Sequence, residues 1–393
     1  MKQNYVKFYP VSNGDQSLIS LEDDTTIMVD CNIREDSVDS TDPKFFDVKK
    51  DILNVTQRRN GIPFVDVFIL THGDCDHCRG YQKNFYQGDP KKYSDKNKVA
   101  NEILIDEMWF SPMIAEEHKN DDEDAYQQEA ERRLELHRKK DPNKDLPGNR
   151  IKIVGYDGNK DYSDLNHLRA IPGRVVTTFN NKEQLNFSLF IHAPFKEHLT
   201  SADKDRNSTS IVFQARFKSH PDESDFIGLF MFGGDSDHYS WNIILQKTRK
   251  YGNDDTEQAL DWDVFLSPHH CSWSFFNDRP QQDNPEPKST SLEVLDYKRN
   301  GGFVIASSKK IINDEDNPPH YEAKMEYVRK VGAFNILNTA TEPSESKPEP
   351  IIFTITKSGI SKEIGNITNS DEKKAAAAVL IAATGIIKKP WSW

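Results

Sequence analysis

Val65-Asp66-Val67-Phe68-Ile69-Leu70-Thr71-His72-Gly73-Asp74-Cys75-Asp76-His77 is the stretch on which the reading of this chain turns. Its first six residues are mostly apolar, with β-branched and aromatic side chains, the pattern of a strand buried on both faces. The strand empties into a turn where His72, Asp74, Asp76 and His77 place four metal-capable groups within six residues. Imidazole mixed with carboxylate is a donor set for zinc, manganese or iron. Gly73 and Gly80 give the turn backbone freedom. Cys75 and Cys78 form a C-x-x-C pair, but no second such pair exists to complete a zinc knuckle. Reduced thiols are therefore expected.

Upstream, VKFYPV and SLISL read as strands joined by the turn Ser12-Asn13-Gly14-Asp15. TTIMVD follows as a third strand, and a helix is expected from Pro43 to Arg59. Downstream, strand-like segments recur at IKIVGYD, RVVTTF, FSLFIHAP, SIVFQARF, GLFMFGGD, VFLSPHH and GFVIASS. Helices are expected around 239–250 and 320–331, and IIFTIT with SKEIG forms a closing pair. This order suits an α/β sandwich of two mixed sheets flanked by helices better than a doubly wound sheet. Between 85 and 150 charged residues crowd together, notably in EEHKNDDEDAYQQEAERRLELHRKK. That stretch predicts a long solvated helix within an exposed insertion. The expected organisation is one domain over 1–365 and a tail over 366–393 with a short alanine-rich helix.

Further candidate ligands sit where other apolar runs end. Asp235 follows Gly228-Leu229-Phe230-Met231-Phe232-Gly233-Gly234, so its carboxylate has little steric cover and would bridge two metals about 3.5–4 Å apart. His269 and His270 follow Val264-Phe265-Leu266. Adjacent histidines point in different directions, so one is free to bind metal while the other meets substrate or orients the first. Which of the two is the ligand stays open. His192 ends FSLFIH and is a further candidate ligand. Asp237 and His238 are read as loop residues beside the bridge, and His320, in Asn317-Pro318-Pro319-His320, as a residue within reach of substrate.

The net charge of −12 argues against a protein that coats nucleic acid, although bound cations would dominate the field within a phosphate-handling site. The N-terminus lacks the apolar core of a secretory signal. The longest apolar run, Ala375 to Ile387, falls short of the roughly 18 residues that span a bilayer. A cytoplasmic protein without a membrane span is the expectation.

Assembled in order, these segments resemble the metallo-β-lactamase fold superfamily, and within it the hydrolase domain attached to bacterial competence (ComEC-type) DNA-uptake channels. Thr71-His72-Gly73-Asp74-Cys75-Asp76-His77 resembles that group's S/T-H-x-D-x-D-H motif. Gly14-Asp15 and Ile27-Met28-Val29-Asp30 are similar to its early turn and strand. Asn207-Ser208-Thr209-Ser210-Ile211-Val212, Gly234-Asp235 and Pro268-His269-His270-Cys271-Ser272 match its later segments, and Asn317-Pro318-Pro319-His320 matches loosely. The resemblance runs from about residue 5 to 335. Cys271 stands where the group has glycine, residues 85–150 have no counterpart, and the channel is missing.

The resemblance implies hydrolysis by water activated on two divalent cations, zinc or manganese. His72, Asp74 and a later histidine would hold the first, Asp76 and His77 the second, with Asp235 as the bridge. The full ligand set is His72, Asp74, Asp76, His77, His192, Asp235, His269 and His270, with Asp76, Asp235, His270 and His320 in catalytic roles. The implied substrate is a phosphodiester, in nucleic acid or a nucleotide. Lactone, thioester or β-lactam hydrolysis on the same fold is the alternative chemistry, and a metal-stabilised regulatory module the alternative class. In either case the 85–150 segment or the tail helix offers a surface for a protein partner or self-association.

Overall fold

The computed structural model describes residues 2–113, 120–158, 160–197, 206–252, 256 and 258–363. The tail expected to be helical over 366–393 lies outside the described residues. Within them the chain is a mixed α/β protein built on two large mixed sheets flanked by helices.

The first sheet contains β1 (Asn4–Phe8), β2 (Ser17–Ser20), β3 (Thr26–Val29), β4 (Gln57–Arg59), β5 (Ile62–Ile69), β6 (Leu104–Phe110), β7 (Arg150–Val154) and β8 (Arg169–Ala170). The second begins with β9 (Val175–Val176), after which β10 (Thr178–Phe179) and β11 (Lys182–Glu183) form a separate small ribbon. It continues with β12 (Phe187–Ala193), β13 (Val212–Phe217), β14 (Gly228–Phe232), β15 (Trp262–Leu266), β16 (Lys298–Ala306) and β17 (Ile336–Asn338). A second ribbon, β18 (Pro343–Ser344) with β19 (Lys347–Pro348), precedes β20 (Ile351–Thr356) and β21 (Gly359–Lys362). The last two strands return to the first sheet, where β20 lies antiparallel to β1 with Asn4 opposite Ile355.

In each sheet the strands nearest the middle run parallel. β5 lies between β3 and β6 in the first sheet, and β15 between β14 and β16 in the second. Buried on both faces, β5 sends Val67 and Ile69 into the core between the sheets, while Phe68 and Leu70 face the helices. In β14, Phe230 and Phe232 enter the inter-sheet core and Met231 turns outward. Phe232 stacks on Phe213 with ring centroids 4.7 Å apart and lies 5.9 Å from Phe8, which ties one sheet to the other.

The helices α1 (Val48–Val55), α2 (Cys75–Cys78), α3 (Tyr81–Asn84), α4 (Asp95–Val99) and α5 (Asp121–Arg138) follow strands of the first sheet. The helices α6 (His238–Lys250), α7 (Ser289–Asp296) and α8 (Tyr321–Val331) follow strands of the second. Ile52, Tyr81, Tyr126 and Leu134 cover the outer face of the first sheet. Trp241, Ile244, Leu295 and Tyr327 do so for the second. Among the described residues, no helix is long and apolar enough to cross a membrane.

Two expectations need correction. The helix expected from Pro43 to Arg59 is α1 alone, capped by the Asp47 carboxylate accepting from the Lys50 N–H at 2.9 Å. Asn60 and Gly61 both take positive φ, 53° and 81°, and turn the chain into the antiparallel pair β4–β5. Second, residues 85–150 are not an exposed insertion. They contain β6, a strand buried along its whole length, and α5, whose Glu123, Glu129 and Arg133 are buried rather than solvated. Arg133 is fully buried. Its guanidinium donates to Glu129 Oε1 at 2.7 Å, to the Arg150 carbonyl at 2.9 Å and to the Ile105 carbonyl at 3.0 Å. It thereby clamps α5 onto β6 and β7. Arg132 also pairs with Glu129, but the Arg150 and Ile105 carbonyls would lose a charged donor inside the protein, so Arg133→Ala should lower stability by about 3 kcal/mol. Thermal or urea unfolding checks this, and a change within about 0.5 kcal/mol, as for an exposed surface site, would return the segment to the solvent.

Candidate metal centre

Candidate ligands gather where parallel strands of both sheets end. β3 runs into Asp30, β5 into the turn from Thr71 to His77, β14 into Gly233-Gly234-Asp235, and β15 into Pro268-His269-His270. The β1–β2 turn adds Asp15 from the side. Close packing of these loops restricts what the backbone tolerates. Gly14 has φ +130°, and a Cβ there would lie 2.1 Å from Asn32 Nδ2 and 2.5 Å from the Asp76 carbonyl. His269, His270 and Cys271 occupy the left-handed region in succession, with φ of 49°, 54° and 70°. For residues with a side chain this costs roughly 1 kcal/mol or more each. The conformation holds the two imidazole planes 73° apart.

The Asp235 carboxylate is the meeting point. Its Oδ2 lies 3.4 Å from His72 Nε2 and 3.6 Å from His269 Nε2. Its Oδ1 lies 3.1 Å from His77 Nε2 and 3.5 Å from His270 Nε2. Asp74 Oδ2 approaches His72 Nε2 at 3.9 Å, Asp76 Oδ2 approaches His270 Nε2 at 3.2 Å, and Asp15 Oδ1 lies 3.5 Å from His270 Nδ1. Two sets of donor atoms close enough to share a cation result: Asp15, His77, Asp235 and His270, and His72, Asp74 and Asp235.

Asp30 orders this group from behind. Its Oδ1 accepts from the Thr71 N–H at 2.7 Å, and its Oδ2 from the Thr71 hydroxyl at 2.8 Å. His77 Nδ1 also lies 2.8 Å from Oδ2. With its own proton given to Asp30, Thr71 Oγ1 accepts from His72 Nδ1 at 3.1 Å. Both imidazoles then carry a proton on Nδ1 and turn their Nε2 atoms to Asp235.

The electrostatics call for positive charge. Burial drives His77 toward the neutral form, yet Asp235 and Asp30 outweigh it and raise its pKa well above the ordinary imidazole value. His270 is likewise opposed by burial but pushed up to about 10 by Asp235, Asp15 and Asp76. Asp235 stays well below the usual carboxylate range despite full burial, because His77, His270, His269 and His72 surround it. Protons on His77 and His270 supply charge that the carboxylates require. A cation supplies it equally well, and the donor atoms suit one. His72 Nε2, Asp15 Oδ1 and His270 Nδ1 are buried and have no hydrogen-bond partner among the described residues, a costly state that coordination relieves. The residues fit metal ions.

No family model and no curated protein matches the chain. The site therefore rests on its own geometry.

Of the residues singled out in the sequence, His72, Asp74, Asp76, His77, Asp235, His269 and His270 come together. His192 does not. On β12 it follows the alternation that sends Leu189 and Ile191 into the inter-sheet core and turns Phe190 and His192 outward. Its Nε2 donates to the Ala259 carbonyl at 2.9 Å, and burial pushes its pKa down to about 3. His320 instead caps α8, Nδ1 accepting from the Glu322 N–H at 3.2 Å, with its ring 5.9 Å from Trp273. His238 opens α6 and lies 3.7 Å from Asp278, while Asp237 caps that helix. Sequence reasoning missed Asp15 as a ligand candidate and Asp30 as the group behind the histidines. The short turn and strand carrying them were visible, but not their approach to the other loops.

Asp30→Asn would set an amide N–H against donors it now satisfies. Divalent cation affinity should fall 10- to 100-fold, and the metal-free protein should lose about 1–3 kcal/mol of stability because buried donors at Thr71 and His77 lose their acceptor. His192→Gln should leave cation uptake as in wild type. Calorimetric titration with Zn2+ and Mn2+ measures both, and equal losses in the two variants would remove the distinction drawn here.

Proposed function

We propose that this protein is a metal-dependent hydrolase of phosphodiester bonds, on a metallo-β-lactamase-type αββα sandwich with a centre of the ComEC type. The observation that carries the reading is the division of Asp235. One carboxylate oxygen faces His72 and His269, and the other faces His77 and His270. A buried carboxylate placed so is suited to bridging two cations.

His72, Asp74 and Asp235 Oδ2 would hold one ion, with His269 beside that carboxylate oxygen. His77, His270, Asp15 and Asp235 Oδ1 would hold the other, with Asp76 beside them. Asp15, Asp74, Asp76 and Asp235 supply four negative charges around neutral imidazoles, which matches two divalent cations such as Zn2+ or Mn2+. Bound there, the cations would lower the pKa of water and offset charge building on the attacked phosphorus.

The chain's own side chains complete the chemistry. Asp235 and Asp30 keep the imidazoles oriented, so little rearrangement accompanies reaction. The Asp76 side chain is 31% exposed and lies against His270, a position from which a carboxylate takes the proton of an attacking water. Ser274 Oγ lies 3.1 Å from His269 Nδ1 and fixes that ring. Its side chain is 23% exposed, so His269 also meets whatever enters from solvent.

Protein loaded with Zn2+ or Mn2+ should hydrolyse bis(p-nitrophenyl) phosphate and lose that activity on chelation. Asp235→Ala should reduce turnover by at least about 10²-fold, the scale of losing a group that stabilises transition-state charge. Turnover of a lactone but not of the phosphodiester would move the reading to carboxyl-ester chemistry. Wild-type turnover in Asp235→Ala would end the two-cation mechanism.

A further inference from the structure

A cavity of about 270 Å³ is lined by Arg34, Lys44, Lys309 and Lys310, four cations in a chain whose net charge is −12. Glu345 also lines it, and Phe45 and Phe46 add apolar surface. Phe45 is 38% exposed, which leaves part of an aromatic residue open to solvent at the cavity.

The cavity adjoins the metal centre through one turn. Ser12 and Asn32 line it. Asn32 Nδ2 donates to the Asn13 carbonyl at 3.2 Å, and Asn13 Oδ1 accepts from the Lys309 N–H at 2.9 Å. Two residues later the same turn presents Asp15 to His270. The turn thus sets the four cations of the cavity beside the ligand cluster, where an anion held on them would lie next to any divalent ions bound there.

We infer that this cavity binds a nucleoside phosphate unit, its phosphate on the cations and its base against Phe45. Its role as a substrate subsite rests on the phosphodiester reading above; its affinity rests on the cavity alone. Arginine and lysine are the side chains that bind phosphate, and an exposed aromatic ring stacks any base. Arg34 pairs with Asp36 at 2.7 Å, Lys310 with Glu345 at 2.7 Å, and Lys309 with Asp316. All are exposed pairs, which contribute little and exchange readily for a dianion. Ligand sites usually span roughly 300–1,000 Å³, so this one takes a single nucleotide unit and not a duplex. The substrate class narrows to short oligonucleotides or small nucleotide diesters.

The test is calorimetric titration of the full chain with adenosine 5′-monophosphate, adenosine and inorganic phosphate, with and without divalent cation. Adenosine monophosphate should bind more tightly than either fragment in both conditions, and more weakly as salt rises. The Lys44→Glu, Lys310→Glu double variant should raise its Kd at least about tenfold, the effect of losing charge-assisted contacts, at unchanged melting temperature. Lys139→Glu, a charge reversal on α5, should change nothing. Phe45→Ala should weaken adenosine monophosphate and leave phosphate unaffected. An absence of binding by wild type, or equal Kd in the double variant, overturns the inference, even if bis(p-nitrophenyl) phosphate is still hydrolysed. Weaker binding by the double variant, with and without divalent cation, in a protein that hydrolyses no phosphodiester keeps the site and removes the phosphodiester reading.

Discussion

A carboxylate buried among imidazoles is the constraint from which the rest of the structure follows. Asp235 is almost wholly enclosed, with histidines approaching from both sheets. Unpaired, such a charge would cost several kcal/mol, so the surrounding loops are built to supply compensation. The parallel strands β3, β5, β14 and β15 place their ends at one edge. Left-handed residues at 269–271 aim the histidine pair. Asp30 and Thr71 fix the protons on the opposite rings. Each of these choices is locally unfavourable or neutral, and they become worthwhile because they converge on one charge.

That convergence explains which parts of the molecule were legible in the sequence. The strand from Val65 to Leu70 and the turn after it could be read directly, since burial on both faces and ligand density are properties of a short window. Asp235 and the His269–His270 pair were legible for the same reason, as side chains at the ends of apolar runs. His192 satisfied the same rule and was misread. The alternation of its strand, with Leu189 and Ile191 facing the other sheet, carries it away from the cluster. A strand-end histidine is a ligand candidate only when its face is known, and the face depends on which residues of the strand meet the partner sheet.

The segment 85–150 shows the opposite failure. Its charged flanks obscured Leu104-Ile105-Asp106-Glu107-Met108-Trp109-Phe110, which holds two acids yet lies at the heart of a sheet. Asp106 accepts from Arg59 and Asn180, and Glu107 accepts from the Trp109 indole at 2.7 Å. The partners of Asp106 come from 47 and 74 residues away, beyond the reach of any window. The same holds for Asp15 and Asp30. Tertiary pairing makes a buried charge tolerable, and composition alone cannot reveal it.

The closing strand β20 lies beside β1, and the Ser307 hydroxyl donates to the Gly14 carbonyl at 2.6 Å, fixing the turn that carries Asp15. Contacts between chain segments so remote form slowly, because loop closure precedes any gain from the contact. During synthesis the outer edge of β1 therefore stays unpaired until β20 has left the ribosome. The turn from Thr71 to His77 is translated long before His269 and His270, so the cation cage cannot form on the first cluster alone.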